Sequence, residues 1–288
     1  MKVWLNGTIV DGQDAKISVL DHGLLYGDGI FEGIRVINRR VFRLADHIRR
    51  LQISAKAIGL ALPLSATKIQ DLVLETARAL AEDEAYIRLL VTRGEGELGV
   101  DPATCARPQL ICIASQIRLF DPAKLHQGIA MVTVSVRRPP ADILDPRVKS
   151  LNYLNNVLAK REARMRGADE ALILNQNGMV AEASVANIFI VRAGELLTPP
   201  PNDGALEGIT RDSVLRCAAM LDIPAHQQTL SRLDLLAADE VFLTGTGARI
   251  VPVGSLDGET IGTVAEHPLT DRISDALAAY SREHGVPF

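Results

Sequence analysis

Hydrophobic and polar residues follow two rhythms along this chain, one of period two and one of three to four. The opening run "VWLNGTIV" has the first rhythm on both sides of Asn6-Gly7, the strongest short signal for a hairpin. A second strand pair reads from "GIFEGIRVINRRVFRL". The helical rhythm then takes over in "DHIRRLQISAKAIGL". It returns after Ser65, a helix cap, with Ile69, Leu72, Val73, Thr76 and Leu80 on one side. Strands "AYIRLLVTRG" and "QLICIAS" close this part. Between Gln116 and Gln127 the pattern lapses around Asp121-Pro122. This predicts an N-terminal α/β domain over 1–118, a linker over 119–127 and a C-terminal domain over 128–288.

The second part begins with the alternating strand "IAMVTVSVRR". In "RVKSLNYLNNVLAKREA", Leu151, Leu154, Leu158 and Met165 fall at helical intervals, with Ser150 placed to cap the helix and Gly167 to end it. Hairpins read from "EALILNQNGMVAEAS" and "NIFIVRAGELLTPP". A helix from Thr210 to Leu221, a strand pair in "EVFLTGTGARIVPV" and a helix after Pro268 follow. Strands and helices mix without regular βαβ alternation, so the fold class is α+β or mixed α/β rather than a Rossmann sheet. "GEGELG" does not match the GxGxxG spacing, which argues against dinucleotide binding.

Composition narrows the partners. The chain has 288 residues, 47% of them hydrophobic and 23% charged, enough for one large or two ordinary cores. A net charge of −4 with no basic stripe argues against nucleic acid. No apolar run approaches the roughly 20 residues of a membrane span. "MKVWLNGTIVDG" reads as strand and turn rather than signal peptide. Cys105, Cys112 and Cys217 form neither a disulfide framework nor a metal pattern, which suits a reducing cytoplasm. No histidine pair has HExxH spacing, so no metal site is expected.

Lysine is sparse, and Lys149 stands at the expected mouth of a helix. There the macrodipole disfavours the charged amine, and a neutral amine is what attack on a carbonyl requires. Strand periodicity puts Phe31, Gly33 and Arg35 on one face, and Tyr86 with Arg88 on one face opposite Ile87, Leu89 and Val91. Such arginine forks suit a carboxylate. "LEGITRDSV" runs from a glycine into a helix whose first turn and Thr210 hydroxyl suit an anion, and "TGTGAR" adds small residues for close backbone approach. Glu182, in "MVAEASVANIF", is a carboxylate among small and apolar residues that needs a partner if buried. Each feature alone also reads as ordinary capping, turn or surface chemistry. Together they ask for a carbonyl, a phosphate and a cationic nitrogen, which pyridoxal 5'-phosphate carries in one molecule.

The ordered motifs "YGDGIFEGIR", "HIRRL", "YIRLLVTRGEGELGVDP", "KSLNYLNNVLAKREA", "EASVANIF", "GITR" and "TGTGA" run nearly end to end. In them the chain resembles the fold-type IV, class IV pyridoxal-phosphate aminotransferases, and most closely their branched-chain amino acid aminotransferases. The resemblance implies a two-domain D-amino acid aminotransferase-like fold and a homodimer or higher homo-oligomer. It implies Lys149 as the Schiff-base lysine and proton shuttle, Glu182 at the pyridine nitrogen and Tyr153 at the ring hydroxyl. Arg50, Ile209, Thr210 and Thr246 would hold the phosphate. Tyr26, Phe31, Gly33, Arg35, Tyr86, Arg88 and Leu98 would line the substrate pocket, with Gly247 and Ala248 offering N–H groups to the α-carboxylate. The implied reaction moves an amino group between leucine, isoleucine or valine and 2-oxoglutarate. D-amino acid transamination and aminodeoxychorismate lyase chemistry are the alternatives within the class. One departure stands out: Arg249 follows "GTGA", where many branched-chain members have an acidic residue.

Overall fold

The computed structural model describes residues 1–116, 127–262 and 267–288. The predicted linker, 119–127, lies outside the described residues except for Gln127. Two compact units form. One gathers the N-terminal part of the chain with Val148–Asn152 and Ser281–Phe288; the other contains the stretch ending at Arg147 and Tyr153–Tyr280. The division is therefore not linear in sequence. Backbone pairing is the reason: Phe31 N–H donates to the Lys149 carbonyl at 2.9 Å, Ser150 bridges Ile30, and the terminal strand Gly285–Pro287 pairs with Arg40–Phe42.

The first unit is an antiparallel seven-stranded sheet. Its strands are β1 (Lys2–Leu5), β2 (Thr8–Asp11), β3 (Gly29–Ile37), β4 (Arg40–Phe42), β5 (Ala85–Thr92), β6 (Gln109–Ser115) and the terminal strand, in the order terminal-β4-β3-β5-β6-β1-β2. The β1–β2 turn uses Asn6 and Gly7 at φ 47° and 104°, as the Asn-Gly signal requires. Helices Leu44–Ala57 and Ala66–Leu80 cover one face, setting Ile48, Leu51, Ile69, Leu72 and Val73 against Ile30, Ile34, Ile87 and Leu89. Ser65 caps the second helix by accepting from Lys68 N–H. Period two holds cleanly in β5, where Ala85, Ile87, Leu89 and Val91 are buried and the residues between them half-buried.

The second unit contains β7 (Ile129–Arg137), β8 (Glu170–Leu174), β9 (Val180–Ala183), β10 (Asn187–Arg192), β11 (Glu195–Thr198), β12 (Ala225–Gln227), β13 (Glu240–Gly245), β14 (Arg249–Leu256) and β15 (Glu259–Thr260). They form one sheet in the order β12-β11-β10-β13-β14-β7-β8-β9, with β15 on β14. Strands β8, β9 and β10 are buried almost throughout, because both faces of this sheet are covered.

Helix Leu154–Met165 corrects the periodicity reading. Ser150 does not cap it: Tyr153 is the N-cap residue, and it makes no side-chain cap. Lys149 therefore lies in the extended segment paired with β3, and the expected macrodipole effect lapses. Nor do the large residues face the core. Ala159 and Ala163 pack on Val132, Val134, Ala171 and Ile173, while Leu154 is 68% and Met165 74% exposed. Small residues let the helix axis approach the sheet closely, so the alanine stripe wins the inner face. Gly167, at φ 75°, does follow the helix end.

In the first unit, Arg93 braces the loop that enters β3. It grips Asp28 through Nε (2.8 Å) and Nη2 (2.9 Å), and donates to the Ile58 and Gly59 carbonyls at 2.8 Å each. Arg93→Ala should destabilise the protein by about 2–4 kcal/mol, somewhat below a fully buried pair because Asp28 is partly exposed. Urea unfolding checks this; a loss below about 1 kcal/mol would show that the loop holds without its brace.

Candidate active site

Strand register builds the group of candidate residues in the first unit. Gly33 pairs with Arg88, and Arg35 with Tyr86, across β3 and β5. A Cβ on Gly33 would collide with the Tyr86 hydroxyl, so the glycine is what lets that phenol lie across the strand. Arg88 sits over two rings, 4.7 Å from the Phe31 centroid and 5.5 Å from that of Tyr86, and donates to the Tyr86 oxygen at 3.3 Å. Lys149 Nζ lies 4.6 Å from the same Phe31 ring. Its main chain is fixed at both ends, N–H donating to Ser54 Oγ at 3.2 Å and C=O accepting from Phe31. Lys149, Phe31, Gly33, Tyr86 and Arg88 are thus brought together as the sequence implied.

On the opposite, core side of β3, Arg50, implied above for the phosphate, engages two residues the sequence reading missed, Glu32 and His47. Glu32 is fully buried and is gripped by Arg50 through Nε (2.8 Å) and Nη2 (2.6 Å), while His47 Nδ1 donates to it at 2.7 Å. Burial alone would push the Glu32 carboxyl up; the Arg50 guanidinium and the His47 hydrogen bond outweigh it and bring the pKa down to about 2. Burial pushes His47 down, against the pull of Glu32, with the charges of Arg50 and Lys149 adding to the fall. The signal was present in outline: His47 and Arg50 are three apart on one helix face, and "FEGIR" sets a carboxylate on the inward side of a strand.

Three other implied residues of this unit stand differently. Arg35 pairs with Glu84 at 3.3 Å. The Tyr26 oxygen accepts from Gly99 N–H at 2.9 Å, at the end of a short helix capped by Asp21. Leu98 is 78% exposed, so within this unit it lines no closed pocket.

The second unit carries the remaining residues implied by the sequence. Glu182 is buried and answered on both oxygens: Arg138 Nη2 donates to Oε1 at 2.9 Å, and Asn187 Nδ2 (3.1 Å) and Leu206 N–H (3.0 Å) donate to Oε2. Asn187 is the hub. It pairs with Thr244 across β10 and β13, and its side chain abuts Gly208, where any Cβ would collide with it. Gly208 is the N-cap of helix Ile209–Met220 and has no side chain to cap it, and Ile209 and Thr210 are buried in its first turn. Thr244 leads through Gly245 into the Thr246-Gly247-Ala248 turn, all four of these half-buried residues preceding exposed Arg249 at φ 61°. Thr244 Oγ1 is buried with no partner among the described residues. Tyr153 stands at the N-cap of its helix, half-buried. Arg138 and Asn187 were not foreseen, because nothing local marks which arginine will turn inward.

One unit thus presents a half-buried amine beside aromatics, and the other a clamped carboxylate and a helix entry with no side-chain cap. The family model for amino-transferase class IV matches residues 29–256, and the chain belongs to that family. A "putative branched-chain-amino-acid aminotransferase" of Methanocaldococcus jannaschii is 48% identical over 286 residues, covering 99% of this chain and 98% of the relative. The crystal structure of the Escherichia coli branched-chain amino acid aminotransferase superposes with a TM-score of 0.93 at 35% identity, covering 97% and 94% of the two chains. The branched-chain amino acid aminotransferase of Thermobaculum terrenum in its PLP-bound holo form gives 0.88 at 30% identity, covering 98% and 94%.

The Glu32 cluster predicts acid behaviour. A carboxyl held near 2 instead of 4.5 contributes stability that is complete above about pH 4.5 and lost as pH falls through about 2. The depressed His47 works in the same direction, its share fading below the ordinary imidazole range. Glu32→Gln should therefore cost roughly 3 kcal/mol at pH 7, at about 1.4 kcal/mol for each tenfold change in proton affinity, with the gap to wild type closing towards pH 2. Urea titrations of both proteins from pH 7 to pH 2 measure that gap, and a constant gap would contradict the electrostatic account.

Proposed function

We propose that this protein is a pyridoxal-phosphate-dependent transaminase that exchanges the amino group between branched-chain L-amino acids and 2-oxoglutarate. The observation that carries the reading is Arg88 on its two rings: one place offers both an apolar aromatic wall and a partner for a side-chain carboxylate. An isobutyl-like side chain needs the first. Glutamate needs the second, since its charge is costly to bury alone. Gly33 leaves the room that the Tyr86 hydroxyl takes up beside Arg88.

The residues present fit the cofactor. A carboxylate answered on both oxygens suits a ring nitrogen, and the Gly208 helix entry without a side-chain cap, with the Thr244 hydroxyl buried and unpartnered among the described residues, suits a phosphate. Lys149, Glu182, Tyr153, Arg50, Ile209, Thr210 and Thr246 would hold it. When bound, it supplies a carbonyl for amine capture and a ring that draws charge from the substrate Cα. Lys149 Nζ would take the proton from the substrate Cα, and Phe31 would keep water from that amine. Glu182 would secure the ring nitrogen. Gly247 and Ala248 offer N–H groups to the α-carboxylate, with Arg249 next in line.

The protein is read as a cytoplasmic homodimer. The exposed apolar row Leu154, Val157, Leu158 and Met165 on one helix favours burial against a second copy. All three cysteines are unpaired, and burial pushes Cys112 up to about 12 and Cys217 up to about 11, which suits structural thiols in a reducing compartment.

Lys149→Ala should abolish transamination. Borohydride treatment of the loaded wild type should label the Lys149 peptide, and label on another lysine would refute the assignment. Arg88→Ala should weaken kcat/KM for 2-oxoglutarate about 10- to 150-fold, since a charge-assisted hydrogen bond is worth roughly 1.5–3 kcal/mol. Leucine should suffer much less. Stopped-flow measurement of each half-reaction separates them; equal losses would remove Arg88 from the dual-substrate role. In the same assays L-leucine should outrun D-alanine and aminodeoxychorismate by a wide margin, and the reverse order would overturn the reading.

A further inference from the structure

Arg138 has no part in the reaction described above, yet it is buried against its central carboxylate. It follows β7, is 5% exposed, and divides its guanidinium between two sides: Nη2 on Glu182 Oε1 at 2.9 Å, Nη1 on Asn155 Oδ1 at 3.0 Å and Asn156 Oδ1 at 3.3 Å. Those amides are themselves fixed, Asn155 donating to the Arg137 carbonyl at 2.9 Å and Asn156 to that of Ser184 at 2.5 Å. Gly204, at φ 103°, packs on the Arg138 stem, where a Cβ would come within 2.9 Å of Cγ. The arginine is thus locked in place from three sides. Of the three donors to Glu182 named above, it is the charged one. Arg211, also buried, lies close enough to feel the Glu182 charge, but donates to the Pro199 carbonyl and Gln227.

A carboxylate facing a pyridine nitrogen shares one proton with it. Away from water the neutral arrangement gains, with the proton on the carboxyl and a bare ring nitrogen. An ionised donor on the carboxylate reverses this, because it stabilises the charged oxygen. We propose that Arg138 is a positioning residue that keeps this shared proton on the ring nitrogen of the cofactor and Glu182 as the carboxylate. The proposal rests on the reading that Glu182 faces the ring nitrogen. A protonated ring draws charge from the substrate Cα far better than a neutral one, so Arg138 acts on the chemistry through Glu182 without touching it.

The test is 15N NMR of the holoenzyme loaded with pyridoxal phosphate labelled at the ring nitrogen, where protonated and bare nitrogens resonate far apart. Wild type and Arg138→Lys should give the protonated signal. Arg138→Met should give the bare one, with kcat down on the order of 10²-fold, the scale of losing a preorganised electrostatic partner, and amino-acid KM changed much less. Asn155→Asp supplies a second route that leaves the arginine in place: a carboxylate against Nη1 neutralises it, and the signal should move the same way. Thermal melting of each apoprotein identifies any variant that fails to fold, in which case the Asn155→Asp signal decides. Glu182→Gln separates the two claims. If it leaves the nitrogen protonated, Glu182 does not face the ring; if it bares the nitrogen while Arg138→Met or Asn155→Asp leaves it protonated, the Arg138 proposal falls and the reading of Glu182 stands.

Discussion

A carboxylate removed from water has to be answered within hydrogen-bond distance, and that constraint organises each unit of this protein. In the first, Glu32 sits on the core side of β3 and draws Arg50 and His47 of the covering helix onto it. The helix is thereby fixed in rotation as well as position, since apolar packing alone tolerates slippage that a two-point arginine grip does not. Ser54, a turn beyond Arg50 on that helix, then receives the main-chain N–H of Lys149. The placement of the Lys149 amine thus depends on a charge pair that never touches it.

The second unit repeats the principle with different chemistry. Glu182 is answered by one charged and two neutral donors, and the neutral ones reach outward to the rest of the site. Asn187 ties the carboxylate to the Gly208 helix entry and, through its pairing with Thr244, to the strand that runs into the Thr246 turn. Desolvation makes every one of these bonds stronger than it would be at a surface, and equally makes a missing one expensive. A site held this way presents its polar atoms in fixed directions before any ligand arrives, which is the condition for stabilising charge without reorganisation.

The other face of β3 carries a different kind of surface. Phe31, Tyr86 and Arg88 are held by strand register, and the guanidinium lies on the rings rather than reaching for solvent. Arginine's weakly hydrated plane tolerates an apolar neighbour and still binds a carboxylate, where a lysine in the same place would not do both. The relatives that match this chain along nearly its whole length are aminotransferases of branched-chain amino acids, in keeping with such a surface.

What the sequence determined is whatever local chemistry decides. Asn6-Gly7 could only be a hairpin turn, Ser65 a cap, and the alternation of "AYIRLL" could only split Arg88 from Ile87 and Leu89. The motifs that carry the family were equally legible, because each is a short run with its own backbone demands. Three-dimensional packing decided the rest. Leu154, Leu158 and Met165 have perfect helical spacing and still lost the core to Ala159 and Ala163, since the sheet accepts a helix only at close range there. Lys149 left the helix mouth because pairing with β3 claimed its backbone first. The partners of Glu32 and Glu182 lie 15 and 44 residues away in sequence at Glu32–His47 and Glu182–Arg138, and no local pattern distinguishes an arginine that will be desolvated from one that will stay in water. Burial is a property of the assembled chain, so the charges that organise the site became readable only once the tertiary structure had put them inside.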